Sequence, residues 1–404
     1  MIGLALLAPL SSFAEENGAN KKKPNIIYIL ADDLGISELG CYGQQLIETP
    51  NIDRLSQEGM TFSNHYSGTA VSAPSRYVLF TGLHTGHAYI RGNDEMASRG
   101  DVWNHKAVLA DSTLEGQRPV PAETVMIPAV MKQAGYTTAC IGKWGLGYPG
   151  SASTPNKMGF DFFYGYNCQR EAHTYYPPFL YRNEHREYLN NPLVVPHTKL
   201  DKGADPYEEK SYAKYTLNEY APDLMYKEIL NFIDLTKDNP FVLFWTTPLP
   251  HVPLQAPEKW VKHYVNKFGD EKPYTGNKDY FPCRYPRATY AAMISYWDEQ
   301  IGGLINKLKE LGIYDNTIII FTSDNGPTFN GGSDSFFFDS AKPFKSEWGW
   351  GKASLREGGI RVPMIASWPK KIKAGSKSDL ICAFWDIMPT FLSLIHISEP
   401  TRRS

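Results

Sequence analysis

Asn25-Ile26-Ile27-Tyr28-Ile29-Leu30-Ala31-Asp32-Asp33-Leu34-Gly35 is the stretch on which the fold of this 404-residue chain turns. Ile26 to Ala31 is continuously apolar and rich in strand-favouring residues, which predicts a parallel strand buried on both faces. The strand ends on two adjacent carboxylates. Side by side at a buried strand end they repel, and are costly unless solvated or holding a cation. Ligands that are all oxygen select Ca2+, or less readily Mg2+, over zinc. Taken alone, Asp32-Asp33 also reads as a solvated acidic turn.

The same construction recurs along the chain. Tyr136–Ile141 reads as a strand that stops at Gly142-Lys143-Trp144-Gly145. Pro240–Thr247 stops at Pro248-Leu249-Pro250-His251, and Asn316–Thr322 stops at Ser323-Asp324-Asn325-Gly326. A short strand over Thr61–His65 precedes Ser72-Ala73-Pro74-Ser75-Arg76, which reads as a hydroxyl group at a helix start. Pro74 suits a first helical turn, the free N–H groups there favour an anion, and Arg76 adds a planar cation. Helices are expected at Thr49–Gly59, Thr124–Gln133, Pro222–Leu235 and Ala288–Leu311, a last strand at Val362–Ser367, and a helix from Asp386.

Strands alternating with helices predict an α/β fold, a mostly parallel central sheet flanked by helices. Ligands of such sheets bind at the carboxyl ends of the strands. Asp32, Asp33, Ser72, Arg76, Lys143, His251, Asp324 and Asn325 all fall there, with Lys352 from Gly349–Gly359. Acidic clusters, three cations, a stiffly held histidine and a hydroxyl suit hydrolysis of a tetrahedral oxyanion ester. Cations stabilise the equatorial oxygens, the nucleophile attacks in line, and an acid protonates the leaving oxygen. Residues 148–235 show no strongly periodic strand. Asn167–Pro177, with Arg170, His173 and Tyr175, reads as the wall of a pocket; Arg356 is a further candidate for the substrate.

A net charge of −2 gives no reason to expect a nucleic-acid surface. The five cysteines are scattered and suggest neither a zinc site nor a disulfide framework. Residues 1–14 read as a secretory signal and 15–23 as a polar linker, so the protein is expected to be exported, to the periplasm or outside a bacterial cell. No cysteine follows the apolar run, so no membrane anchor is expected. Residues 392–404 resemble the in-frame translation of a transposase-type sequencing adapter, which predicts that the natural chain continues past about Phe391.

Ser72-Ala73-Pro74-Ser75-Arg76 with Thr81-Gly82 resembles the first sulfatase signature, and Gly135-Tyr136-Thr137-Thr138 with Gly142-Lys143-Trp144 the second. Ala31-Asp32-Asp33, Ser323-Asp324-Asn325-Gly326 and Lys352 with Glu357-Gly358-Gly359 match further blocks of that family in order, over residues 24–391. The resemblance implies an alkaline phosphatase-like sulfatase fold whose smaller C-terminal subdomain is largely missing here. It implies that residue 72 is converted to formylglycine, whose hydrate attacks sulfur, while His251 protonates the departing alcohol. Asp32, Asp33, Asp324, Asn325 and residue 72 would bind Ca2+, with Arg76, Lys143 and Lys352 around the sulfate. A serine at 72 resembles the enzymes matured by a radical-SAM partner. The Asn167–Pro177 block resembles sulfatases of sulfated polysaccharides, with galactose- or N-acetylgalactosamine-type sulfates as the expected substrates.

One position departs from that pattern. The family carries a histidine two residues after its lysine, where this chain has Gly145. His173 or His87 is the expected replacement. Two other readings stay open: a phosphoesterase or phosphonate hydrolase of the same superfamily, disfavoured because the acidic clusters lack companion histidines, and an inactive sugar-binding relative if Ser72 is unmodified.

Overall fold

Every residue of Asn25–Ala31 is buried, and the strand they form lies in the middle of a ten-stranded sheet. The computed structural model describes residues 23–395. The expected signal (1–14), all but the last residue of the expected linker (15–23) and positions 396–404 of the expected tail lie outside the described residues.

The strands are β1 (Asn25–Ala31), β2 (Met60–Phe62), β3 (His65–Tyr66), β4 (Thr137–Lys143), β5 (Phe162–Tyr166), β6 (Phe179–Arg182), β7 (His185–Tyr188), β8 (Phe241–Thr246), β9 (Thr317–Ser323), β10 (Met364–Ser367), β11 (Ser376–Ser378) and β12 (Cys382–Ala383). The large sheet runs β11-β2-β10-β9-β1-β8-β4-β5-β6-β7, and β3 with β12 makes a separate pair. From β9 to β5 all neighbours are parallel. Ala31 pairs with Ser323, Leu30 with Thr246, and Thr246 with Gly142. Four strands therefore end at one level, which brings Asp32, Lys143, Thr247 and Asp324 to a common edge.

The period-2 geometry of β1 divides two cores. Ile27, Ile29 and Ala31 face one, with helices Pro50–Glu58, Ala221–Thr236 and Pro286–Glu310; Ile26, Tyr28 and Leu30 face the other, with helices Ser72–Thr81, Ile127–Gln133 and Ile387–Leu394. Both faces of the strand are covered, as a continuous apolar run requires.

The departures from the expected pattern are at the flanks. β10 runs antiparallel to both β9 and β2. Thr61–His65 is not one strand: β2 ends at Phe62 and β3 begins at His65 in another sheet. Residues 148–235 do contain strands, since β5, β6 and β7 form an antiparallel extension. Their short aromatic and charged runs do not alternate regularly enough to be read by period. The helix expected from Thr124 begins at Ile127, with a proline in its first turn, and helix Glu258–Phe268 was not expected. The cysteines are free thiols. Among the described residues no helix is long and apolar enough to cross a membrane.

Candidate active site

Helix Ser72–Thr81 is buried along its whole length, and Ser72 is its first residue. The N–H of Ala73, free at a helix start, is taken by Asn93 Oδ1 at 2.8 Å. The helix ends at Gly82, whose φ of 66° lets its N–H close on the Val78 carbonyl. So anchored, Ser72 donates its Oγ–H to Asp32 Oδ1 at 3.0 Å, and both side chains are fully buried.

Around this pair the strand ends deliver three carboxylates and three cations. Lys143 Nζ reaches Asp32 Oδ2 at 2.5 Å, and Lys352 Nζ reaches Asp33 Oδ2 at 2.7 Å. The Arg76 fork gives Nε and Nη2 to Asp324 Oδ2 at 3.1 and 3.0 Å and Nη1 to the Lys143 carbonyl at 2.6 Å. Asn325 Nδ2 donates to Asp33 Oδ1 at 2.8 Å. The Asp33 N–H donates to Asp324 Oδ1 at 3.2 Å, and Asp33 has φ of 68°. Backbone strain of this kind persists where the surroundings over-determine it.

The charges set one another. Burial alone would raise the Asp32 carboxyl, but Lys143, His251, Arg76 and Lys352 outweigh it and hold Asp32 well below the carboxylate range. Burial, then the Asp32 charge, pushes Asp324 up to about 7 against Arg76. Burial lowers the Lys143 ammonium, with Asp32 opposing. Burial lowers the Lys352 ammonium, but Asp33, Tyr280 and Asp32 together outweigh it, and it rises.

His251 lies at the end of β8. Its Nδ1 meets the Val252 carbonyl at 2.5 Å; a carbonyl only accepts, so Nδ1 carries the proton and Nε2 faces Asp33 Oδ2 at 3.7 Å. Burial, then Lys352, lowers this imidazole to about 4. The acidic pair therefore does have one companion histidine, since Asp32, Asp33 and His251 place ligand atoms within 4.8 Å of one another. The loop's other end is braced by Tyr175, fully buried, whose hydroxyl reaches the Pro248 and His251 carbonyls at 2.7 Å each. Tyr175 is thus committed to the histidine turn rather than presented to a ligand.

His173 stacks on His251 with ring centroids 5.9 Å apart. The Tyr280 N–H donates to His197 Nδ1 at 2.8 Å, so His197 carries its proton on Nε2 and donates it to His173 Nδ1 at 3.1 Å. Tyr280, with φ of 60°, also packs edge-on against His251. Nothing periodic in the sequence marks Tyr280 or His197, and neither was foreseen. His87 is exposed at the far end of the Ser72 helix, about 15 Å along it. Arg356 is exposed too, its guanidinium over Trp350 and bonded to the Gly349 carbonyl, outside the cluster.

Neither histidine fills the place beside Gly145. A Cβ there would overlap the Gln169 amide nitrogen and stand 2.7 Å from its Cδ, and the φ of 77° suits glycine. The Gln169 amide takes the space that a side chain at position 145 would enter.

The donor set fits a hard cation. Asp32, Asp33 and Asp324 offer carboxylate oxygens, and Asn325 Oδ1 is buried with no hydrogen-bond partner among the described residues, as expected of an atom that serves a cation.

A family model described as Sulfatase matches residues 24–397. The chain is 29% identical to the human N-acetylgalactosamine-6-sulfatase over 389 residues, covering 94% of this chain and 64% of that protein. It is 30% identical to an N-acetylgalactosamine-6-O-sulfatase of Bacteroides thetaiotaomicron over 435 residues, covering 97% of this chain and 77% of that one. The solved structure of Ps i-CgsB in complex with k-i-k-neocarrahexaose superposes with a TM-score of 0.70 at 29% identity, over 94% of this chain and 73% of that one.

Proposed function

Because the chain belongs to the sulfatase family, we propose that it is a sulfuric ester hydrolase that removes sulfate from a sulfated saccharide, at Ser72. One observation carries this reading: the buried Ser72 Oγ on Asp32, inside a ring of three carboxylates and three cations. Relatives at 29–30% identity named for N-acetylgalactosamine 6-sulfate support a hexosamine or galactose sulfate as substrate.

Residue 72, once oxidised to formylglycine by a radical-SAM maturation enzyme, supplies a hydrated carbonyl as nucleophile in place of an alcohol. Asp32, Asp33, Asp324 and Asn325 with residue 72 would hold Ca2+, which would supply positive charge beside the sulfate; Mg2+ is the lesser candidate. Arg76, Lys143 and Lys352 orient the sulfate, and their charges need no reorganisation as negative charge builds. Asp32 accepts a hydrogen bond from the residue-72 hydroxyl and orients it. His251, with Nε2 turned inward, delivers a proton to the leaving sugar oxygen once the bound anion raises its proton affinity. Arg170 and His173 meet the sugar. Export to the periplasm or beyond completes the reading.

The test uses the full chain co-expressed with such a maturase. Mass spectrometry of the Ser72 peptide is expected to show loss of two hydrogens, and a panel of sulfated sugars to show sulfate release. An unmodified peptide or no release from any sulfate ester would sink it. The companion position of His251 keeps a phosphoesterase or phosphonate hydrolase as the second reading; zinc- or manganese-dependent phosphoester or phosphonate cleavage without sulfate release would select it.

A further inference from the structure

Beside the strand-end cluster, four buried side-chain nitrogens have no hydrogen-bond acceptor among the described residues: Nε2 of Gln169 and Nε, Nη1 and Nη2 of Arg170. Gln169 is 8% exposed and Arg170 1%. Buried donors are nearly always satisfied in folded proteins, so adjacent residues holding four unmet nitrogens mark a place built for acceptor oxygens.

Arg170 also lacks a full counter-charge. Glu95 stands 3.8 Å away, too far for a hydrogen bond, and its own Oε2 is unpartnered. Glu115 is committed to Arg186 and Tyr181. Glu171 gives Oε2 to the N–H groups of Asn167 and Cys168, and burial favours its neutral form. The place adjoins the reacting centre. Asn93 caps Ala73, and Glu95, two residues on, bridges to Gln117. Gln117 Oε1 takes the Gln169 N–H at 2.9 Å, and Gln169 packs on Gly145, two residues past Lys143.

We propose that Gln169 and Arg170 form a second anion subsite, which takes a further sulfate or carboxylate on the saccharide whose ester is cut at Ser72. The inference rests on the saccharide sulfatase reading. Glu95 holds the place that the ligand's anionic group takes: its side chain is the more exposed of the pair, 10% against 1%, and it withdraws as that group enters. An arginine fork and an amide together offer up to seven N–H donors, which suits a group with two or three anionic oxygens.

The test is calorimetric binding to the full chain with Ser72 unmodified, so that no turnover is needed. The probes are N-acetylgalactosamine 6-sulfate disaccharides bearing no second charge, a second sulfate, or a neighbouring uronate. The wild type is expected to bind one doubly charged probe about ten- to a hundredfold tighter than the singly charged one, and the probe that gains identifies the group. In Arg170→Ala the ratio should fall to near one, and in Glu95→Gln it should widen several-fold. The opposite directions separate recognition from misfolding. Equal affinities in the wild type, or a ratio unmoved in both variants, would overturn the subsite and assign the nitrogens to water in the cavity of about 30 Å3 that Arg170 also lines. A matured enzyme that releases sulfate from the singly charged probe while the ratio stays at one loses only this inference. A matured enzyme that releases none loses the reading beneath it.

Discussion

Gly145 and Gln169 exclude each other's side chains: the Gln169 amide occupies the space a Cβ on Gly145 would need. Gly145→Ala should therefore destabilise the protein through both overlap and the left-handed backbone, the latter about 1–2 kcal/mol. In a Gln169→Ala background only the backbone part should remain. Denaturant unfolding of the four proteins checks this, and strict additivity would mean that the residues do not share the space.

Arg76 joins Asp324 to the Lys143 carbonyl through one planar fork. Arg76→Lys keeps the charge and loses that geometry; turnover of the matured enzyme should drop about a hundredfold or more. Arg76→Ala leaves buried carboxylates underpaired and should cost about 3–5 kcal/mol of unfolding free energy. Steady-state kinetics and urea melts report the two effects separately.

Asn325 Oδ1 has no hydrogen-bond partner among the described residues. Calcium at a hundred times its dissociation constant should raise the unfolding free energy by about 2.7 kcal/mol. Asn325→Ala should shrink that gain at equal calcium, and chelation should abolish both the gain and activity. A melting temperature indifferent to calcium would argue against the site.

Tyr175 acts through His251, since its hydroxyl reaches two carbonyls of that turn. Tyr175→Phe should cost about 1–3 kcal/mol for the buried carbonyls it abandons. It should lower kcat more than it changes KM, because the turn that aims the histidine loosens. A purely structural residue would leave kcat of the surviving folded fraction unchanged.

Glu95 gives a pH signature. Burial pushes its carboxyl from 4.5 up to about 7; Arg170 opposes this and Glu115 adds to it. The folded state thus holds the proton more tightly than the unfolded one. Stability from this group is full below 4.5 and is lost as pH rises through about 7. Glu95→Gln should flatten that part of the stability profile, measured by denaturant unfolding at intervals from pH 4 to 8.

The centre of the sheet could be read from the chain because β1, β8 and β9 are buried on both faces and so largely apolar, and β4 carries a short apolar core at residues 139–141. Their carboxyl ends carry the charged residues, and parallel pairing brings those ends together whatever lies between. The flanks could not be read this way. In β6 and β7, Arg182 reaches Glu187 and Glu228, and Arg186 reaches Glu115; such partners lie up to 71 residues away and leave no local period. The wall around His251 was only partly visible. His173 stands in a block dense in aromatic and polar residues, but Tyr280 and His197 join it through a backbone N–H and ring packing that no spacing encodes. Gln169 was invisible for a related reason: its role follows from what Gly145 lacks.

Asp324 closes on Arg76 across 248 residues of chain, and Ser72 is wholly enclosed once it has done so. A ribosome adding roughly 5–20 residues each second takes about 12–50 s to cover that interval. The pocket cannot be finished during that time, because one wall has not been synthesised. Until β9 arrives Ser72 lies open on that side, and afterwards it is fully buried. Strand order therefore gives the protein a developmental schedule: Ser72 is made early and shut in late.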